Sequence, residues 1–128
     1  MQRTIVLIFE KATLVASDIR DHVLDVAGHA DVIVAESLEE ATAALAQLDR
    51  ADLGIVTWHK PVFARGTFAA DLTRTCEKVI LLGGPEGDHP NVEDSWIKLG
   101  LPFTPERLRS AVAEALAAAP VSQLQARR

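Results

Sequence analysis

Several of the usual carriers of chemistry are scarce in this chain. There is one cysteine, Cys76, no tyrosine, one methionine and only 5% aromatic residues in 128. A single cysteine excludes an internal disulfide and fits a reducing cytoplasm. The longest apolar run, Ile5 to Phe9, is far too short to span a bilayer, and no cleavable leader pattern precedes it. Lysine and arginine are outnumbered by acidic residues, 13 to 18, for a formal charge of −5. Beyond the terminal pair Arg127 and Arg128 they form no cluster, which argues against a nucleic-acid face. His22, His29, His59 and His89 are scattered without metal-ligand spacing. Gly83, Gly84 and Gly87 make neither a GxGxxG nor a Walker pattern, so no phosphate cradle is expected. No cofactor, nucleic acid or membrane is implied.

What remains is an ordinary globular composition, 48% hydrophobic and 24% charged, in a length that builds one domain. Short apolar strands alternate with amphipathic helices. Thr4 to Phe9 is apolar on both faces, as a strand covered by helices on each side must be. Thr13 to Ala27 sets Val15, Ile19, Val23 and Val26 on one helical stripe, with Gly28 at a left-handed cap. Asp31 to Ala35 reads as a second strand. Ser37 and Glu40 then form a capping box before a helix that buries Leu38, Ala41, Leu45 and Leu48. Leu53 to Val56 is a third strand, Thr67 to Arg74 a short helix, and Val79 to Leu82 a fourth strand ended by Gly83-Gly84-Pro85. Gly84 to Ser95 lacks apolar periodicity, so a short or distorted helix, or only a loop, is expected there. Ile97 to Leu101 is a fifth strand. Thr104 as N-cap and Pro105 at the first helical position open the last helix, with Leu108, Ala111, Val112, Ala115 and Leu116 buried. The domain is expected over 1–119, with 120–128 as a flexible tail.

This alternation predicts an α/β fold, a doubly wound five-stranded parallel sheet of flavodoxin-like order 2-1-3-4-5. Such sheets work at the carboxyl ends of their strands. The residues expected at that rim are Glu10, Lys11, Thr57, Gly83 and Leu101.

Those rim positions carry a resemblance. Ile5-Val6-Leu7-Ile8-Phe9-Glu10-Lys11, Gly28-His29, Glu39-Glu40-Ala41 and above all Pro102-Phe103-Thr104-Pro105-Glu106-Arg107-Leu108 resemble the receiver domain of two-component response regulators, in order and spacing over nearly the whole chain. Gly84 to Ser95 is similar to a subgroup in which the fourth helix is reduced. A working receiver would hold Mg²⁺ on two adjacent acidic residues; here Glu10 stands at the first and Lys11 at the second. The phosphoacceptor aspartate ending the third strand is matched by Thr57, the hydroxyl residue ending the fourth by Gly83, the lysine before Pro102 by Leu101, and the switch aromatic by Lys98. One carboxylate and one hydroxyl are a poor set for a hard octahedral cation, and phosphoryl transfer needs cations and donors around the developing charge. The resemblance therefore implies a pseudo-receiver without the phosphoacceptor, no base near Thr57, and no enzyme activity. Lys11 either replaces the metal by pairing with Glu10 or simply faces solvent. The second reading is the simpler, since exposed ion pairs contribute little.

As the resemblance implies, partners would be a histidine kinase, a histidine phosphotransfer protein or an effector domain, with a homodimer as a further expectation. Candidate contacts are Thr13, Leu14, Ser17, Pro102 and Phe103, together with the aromatic Trp58 and Trp96, whose alternative role is local packing. His59 reads as a surface-loop histidine and Cys76 as a structural thiol. The rival is a small flavodoxin-like enzyme or ligand-binding protein using Glu10, Thr57 and His59, which would need a roomy pocket with convergent polar groups.

Overall fold

The computed structural model describes residues 3–64, 66–85 and 89–126, with 118–126 as backbone only. Gly87 and the Arg127–Arg128 pair, singled out above, lie outside them. The elements run β1 (Ile5–Phe9), α1 (Thr13–Val26), β2 (Asp31–Ala35), α2 (Leu38–Gln47), β3 (Ala51–Thr57), α3 (Lys60–Phe63), α4 (Gly66–Thr75), β4 (Cys76–Leu82), β5 (Ile97–Leu99) and α5 (Pro105–Ala126). The strands form one parallel sheet in the order β2-β1-β3-β4-β5, as expected.

Alternation along each strand feeds two cores. Val6, Ile8, Leu53, Ile55, Ile80 and Leu82 point to one face, where Ile19 and Val23 of α1 and Leu108 and Val112 of α5 cover them. Leu7, Phe9, Val56, Val79 and Leu81 point to the other, under Ala41 and Leu45 of α2, Phe63 of α3, and Phe68 and Leu72 of α4. On that face Gly54 is fixed by close approach, because a Cβ there would stand 2.9 Å from Cys76 Sγ. Cys76 is 5% exposed, and burial pushes its thiol up to about 12.

Helix ends follow their caps. Ser37 Oγ accepts from Glu40 N–H at 3.1 Å, but Glu40 Oε1 reaches one residue further back than a capping box, to Glu36 N–H at 2.8 Å. Thr104 Oγ1 accepts from Arg107 N–H at 3.1 Å, opening α5 at Pro105. Where α1 and α5 meet, Arg109 donates to His22 Nδ1 at 3.0 Å.

Several local expectations need correction. Val15 and Leu38 are each 41% exposed rather than buried, since the stripes run through Ala16, Ile19 and Val23 and through Ala41 and Leu45. Gly28 does not adopt a left-handed cap; α1 ends at Ala27 with φ −132°, and the positive-φ glycines among the described residues are Gly83 and Gly84. The fifth strand stops at Leu99 and the fourth starts earlier, at Cys76. The last helix passes through Pro120 to Ala126 instead of ending at 119, although Pro120 has no N–H for the carbonyl four residues back.

Between β4 and β5 no helix forms among the described residues. Aromatic packing and side-chain clips hold this loop instead. Trp96, 5% exposed, meets Phe63 with ring centroids 6.3 Å apart, and Asn91 Nδ2 donates to Phe63 O at 2.8 Å. Lys98 Nζ donates to the carbonyls of Glu93, Asp94 and Trp96 at 3.0, 3.4 and 3.4 Å. Among the described residues no helix is long and apolar enough to cross a membrane.

Candidate functional site

Parallel pairing dictates what stands at the carboxyl rim. Phe9 pairs with Val56, so the next residues, Glu10 and Thr57, leave adjacent strands side by side. Glu10 N–H is held by Ala35 O at 3.1 Å. Each oxygen of its carboxylate accepts a hydrogen bond within the protein: Oε1 from Thr57 Oγ1 at 2.6 Å and Oε2 from Ala12 N–H at 2.9 Å. The second bond satisfies an amide at the start of α1, whose N-cap residue, Ala12, has no side-chain cap. The expectation that no base stands near Thr57 is therefore wrong, for the hydroxyl donates directly to a carboxylate.

Lys11 neither pairs with Glu10 nor faces empty solvent. Its Nζ lies 3.3 Å from His59 Nε2. An ammonium has no acceptor, so the imidazole accepts at Nε2. His59 is half-buried rather than a plain surface residue, and its carbonyl accepts from Val62 and Phe63 N–H at the start of α3. Lys11 follows Glu10 directly, whereas His59 stands two residues after Thr57, beyond Trp58, so the turn after β3 rather than strand register brings the pair together.

The β4–β5 half of the rim is apolar. Gly83, at φ +78°, donates its N–H to Leu99 O at 2.8 Å. A Cβ on Gly83 would stand 3.2 Å from Leu101 Cδ1. Leu101, beyond β5, is 60% exposed and precedes a cis bond to Pro102. Trp58 stacks on Phe63 at 4.9 Å and meets His89 edge-on at 5.1 Å, and its N–H binds Leu82 O at 2.8 Å. A cavity of about 320 Å³ at this side is lined by Leu81, Gly83, Gly84, His89, Lys98 and Gly100 among others, without Glu10, Thr57 or His59.

The donor set does not fit Mg²⁺. It offers a single carboxylate, each oxygen of which already accepts a hydrogen bond, a hydroxyl and a nearby ammonium, a poor set for a hard octahedral cation. Among the described residues no group of three His, Cys, Asp or Glu could hold a metal.

Of the candidate contact residues, Leu14 is 85% exposed, Thr13, Ser17 and Pro102 are exposed, and Phe103 and Trp58 are half-buried. Trp96 is a correction: its ring is buried against Phe63 and offers no surface to a partner.

The chain has the fold of response-regulator receiver domains. It is similar to a receiver domain protein of Bacillus halodurans (TM-score 0.69, 22% identity, covering 89% of this chain and 97% of that one). It is also similar to the signal receiver domain of an HD domain-containing protein from Pseudomonas fluorescens (0.71, 20%, 91% and 97%). A chemotaxis response regulator of Vibrio cholerae matches likewise (0.66, 19%, 90% and 100%). No protein-family model matches the sequence, and no curated protein matches it significantly.

Proposed function

We propose that this chain is a pseudo-receiver, a cytoplasmic module that signals by protein contact in a two-component or phosphorelay pathway without accepting phosphate. The observation that carries the reading is the Glu10–Thr57 bond. At the end of β3, where receivers place their phosphoacceptor, a hydroxyl donates at 2.6 Å to a carboxylate that would otherwise bind the metal. With Glu10 satisfied internally, the domain needs no cation to relieve that charge. Phosphoryl transfer also lacks a positive group on the far side, because Leu101 and Gly83 supply neither charge nor side-chain donor. The Glu10 carboxylate could take the Thr57 proton, yet nothing opposite it would hold a transferring phosphoryl group.

A partner has an exposed surface to meet. Leu14 and Leu101 are large apolar side chains on the outside, flanked by Thr13, Ser17 and Pro102 on the first helix and on the turn after β5. These are the elements through which receivers meet histidine kinases and phosphotransfer proteins, and a second copy of the chain is a further candidate. The test is incubation with acetyl phosphate and Mg²⁺, read by intact mass, beside Mg²⁺ calorimetry. We expect no phosphoryl adduct and no heat of binding; an adduct at Thr57, or tight Mg²⁺ uptake, overturns the reading.

The cavity of about 320 Å³ at the β4–β5 edge favours a second reading, a small-ligand binder or enzyme. A strong stabilising hit in a metabolite thermal-shift screen would support it over the contact module.

A further inference from the structure

Lys11 and His59 hold a capacity that signalling by contact does not use. Lys11 is exposed, and its Nζ lies 3.3 Å from the acceptor nitrogen Nε2 of His59. Most surface lysines either pair with a carboxylate, which favours the charged and unreactive ammonium, or contact only water. Lys11 does neither. The adjacent carboxylate, Glu10, accepts from Thr57 and Ala12, and among the described residues no carboxylate lies within ion-pair distance of Lys11 Nζ. The side chain is therefore open to reagents, free of a carboxylate partner, and in contact with an imidazole nitrogen.

Among the described residues no other lysine shares this setting. Lys98 Nζ is spread over three backbone carbonyls. Lys60 and Lys78 lie exposed, at the start of α3 and on β4, without an imidazole contact.

We propose that Lys11 is an acylation site at which His59 serves as the proton acceptor, and that the co-reactant is an activated acyl donor, an acyl phosphate or an acyl thioester. The ammonium loses one proton to solvent to become the amine. The nitrogen lone pair then attacks the acyl carbonyl carbon, forming an N–C bond. The C–O bond to phosphate, or the C–S bond to the thiol, breaks, and the leaving group departs with the electron pair. The second proton released from nitrogen passes to His59 Nε2 and then to water. The product is a neutral amide at the mouth of the Glu10–Thr57 site, so the modification removes a positive charge beside the exposed Leu14 surface.

The test incubates the folded chain separately with acetyl phosphate and with acetyl-coenzyme A, following each lysine by peptide mass mapping. Lys11 is expected to acetylate about tenfold faster than Lys60 and Lys78, short of the ~10²–10⁴ of a well-positioned general base because the pair is exposed. His59→Gln keeps a carbonyl oxygen to accept from the ammonium but takes no proton. In that variant, with an unchanged circular dichroism spectrum, Lys11 should slow to the rate of Lys60 and Lys78, whose own rates stay the same. A Lys11 preference in either arm that His59→Gln abolishes supports the proposal. A Lys11 rate equal to Lys60 and Lys78 in both arms, or one untouched by His59→Gln, overturns it. Acetyl and phosphoryl adducts differ in mass and in the residue that carries them, so a phosphoryl adduct counts against the inert-receiver reading alone.

Discussion

In the β1–β3 half of the rim, polar side chains are present and satisfy one another, Glu10 with Thr57 at 2.6 Å and Lys11 with His59 at 3.3 Å. In the β4–β5 half there is little to satisfy: Gly83 and Leu101 carry no side-chain donor, and aromatic packing replaces a helix. In one half the polar groups are paired with each other, and in the other Gly83 and Leu101 bring none. The difference matters because the two conditions respond oppositely to substitution. Removing a partner from the first half leaves a polar group unsatisfied, whereas the second half depends on volume and shape.

The sharpest way to break the comparison is to empty the aromatic cluster. Phe63 is fully buried, stacks on Trp58, meets Phe68 and Trp96, and its carbonyl holds Asn91. Phe63→Ala should cost about 3–5 kcal/mol, read by urea denaturation. The loop between β4 and β5 should lose amide protection first. If that loop stayed protected while the β1–β3 rim loosened, packing would not be what holds the second half.

Thr57 tests the first half from two sides. Thr57→Val removes the hydroxyl and leaves Glu10 Oε1 without its donor; the expected cost is about 1–3 kcal/mol, toward the low end because the site is half-buried. Thr57→Asp sets a second carboxylate against Glu10, and like charges at that distance disfavour the folded state. That variant should be destabilised without divalent cations and recover in millimolar Mg²⁺, which now has two carboxylates to bridge. Equal thermal midpoints for Thr57→Asp with and without Mg²⁺ would show that Lys11 and the α1 start, rather than Thr57, bar the ion.

Much of this architecture was legible in the chain. The second strand, Asp31–Ala35, has the boundaries that its β-branched run and flanking turn residues suggest. The start of α5 follows from Thr104 and Pro105, which act locally and so need no tertiary information. Sheet order came from the alternation of elements, and absent periodicity left a short helix or a loop before β5, of which the described residues form the loop. The rest was hidden for physical reasons. Val15 and Leu38 sit in the first turn of their helices, at the edge of stripes that stay buried through Ile19 and Val23 and through Ala41 and Leu45, and sequence spacing alone does not say where the sheet's cover ends. Trp96 looked like a surface anchor because it is an aromatic at a strand start near the rim, yet packing against Phe63 is a contact between residues 33 apart in sequence. The identities of the rim residues were readable, but their bonds required the β1–β3 register.

A control away from the rim asks whether the comparison concerns that edge or the whole fold. Cys76 sits at the start of β4 beneath Gly54, and burial raises its thiol from an ordinary 9.0 to about 12. The folded chain keeps the proton through this window while the unfolded chain releases it. The unfolded state therefore binds fewer protons, and stability must fall as pH rises from 9 toward 12. The slope from this group approaches roughly 1.4 kcal/mol per pH unit. Unfolding free energies measured across that range should decline more steeply in the native chain than in Cys76→Ala. Parallel curves would mean that the thiol is reached by solvent. The folded protein should also resist alkylation at pH 8.5.

The smallest effect should come from Lys98, whose charged side chain clips the turn before β5. Its ammonium donates to three carbonyls of the turn that delivers Trp96. It is exposed, so water can replace it at each acceptor. Lys98→Met keeps the stem and deletes the charge, and should cost no more than about 1 kcal/mol. Its signature is local: faster exchange of the Val92 and Trp96 amides, which bond His89 O and Glu93 O, with no change at Glu10 or Trp58. A loss as large as that of Phe63→Ala would make this half polar in its energetics after all, since the clip and not the aromatic packing would then be setting the loop.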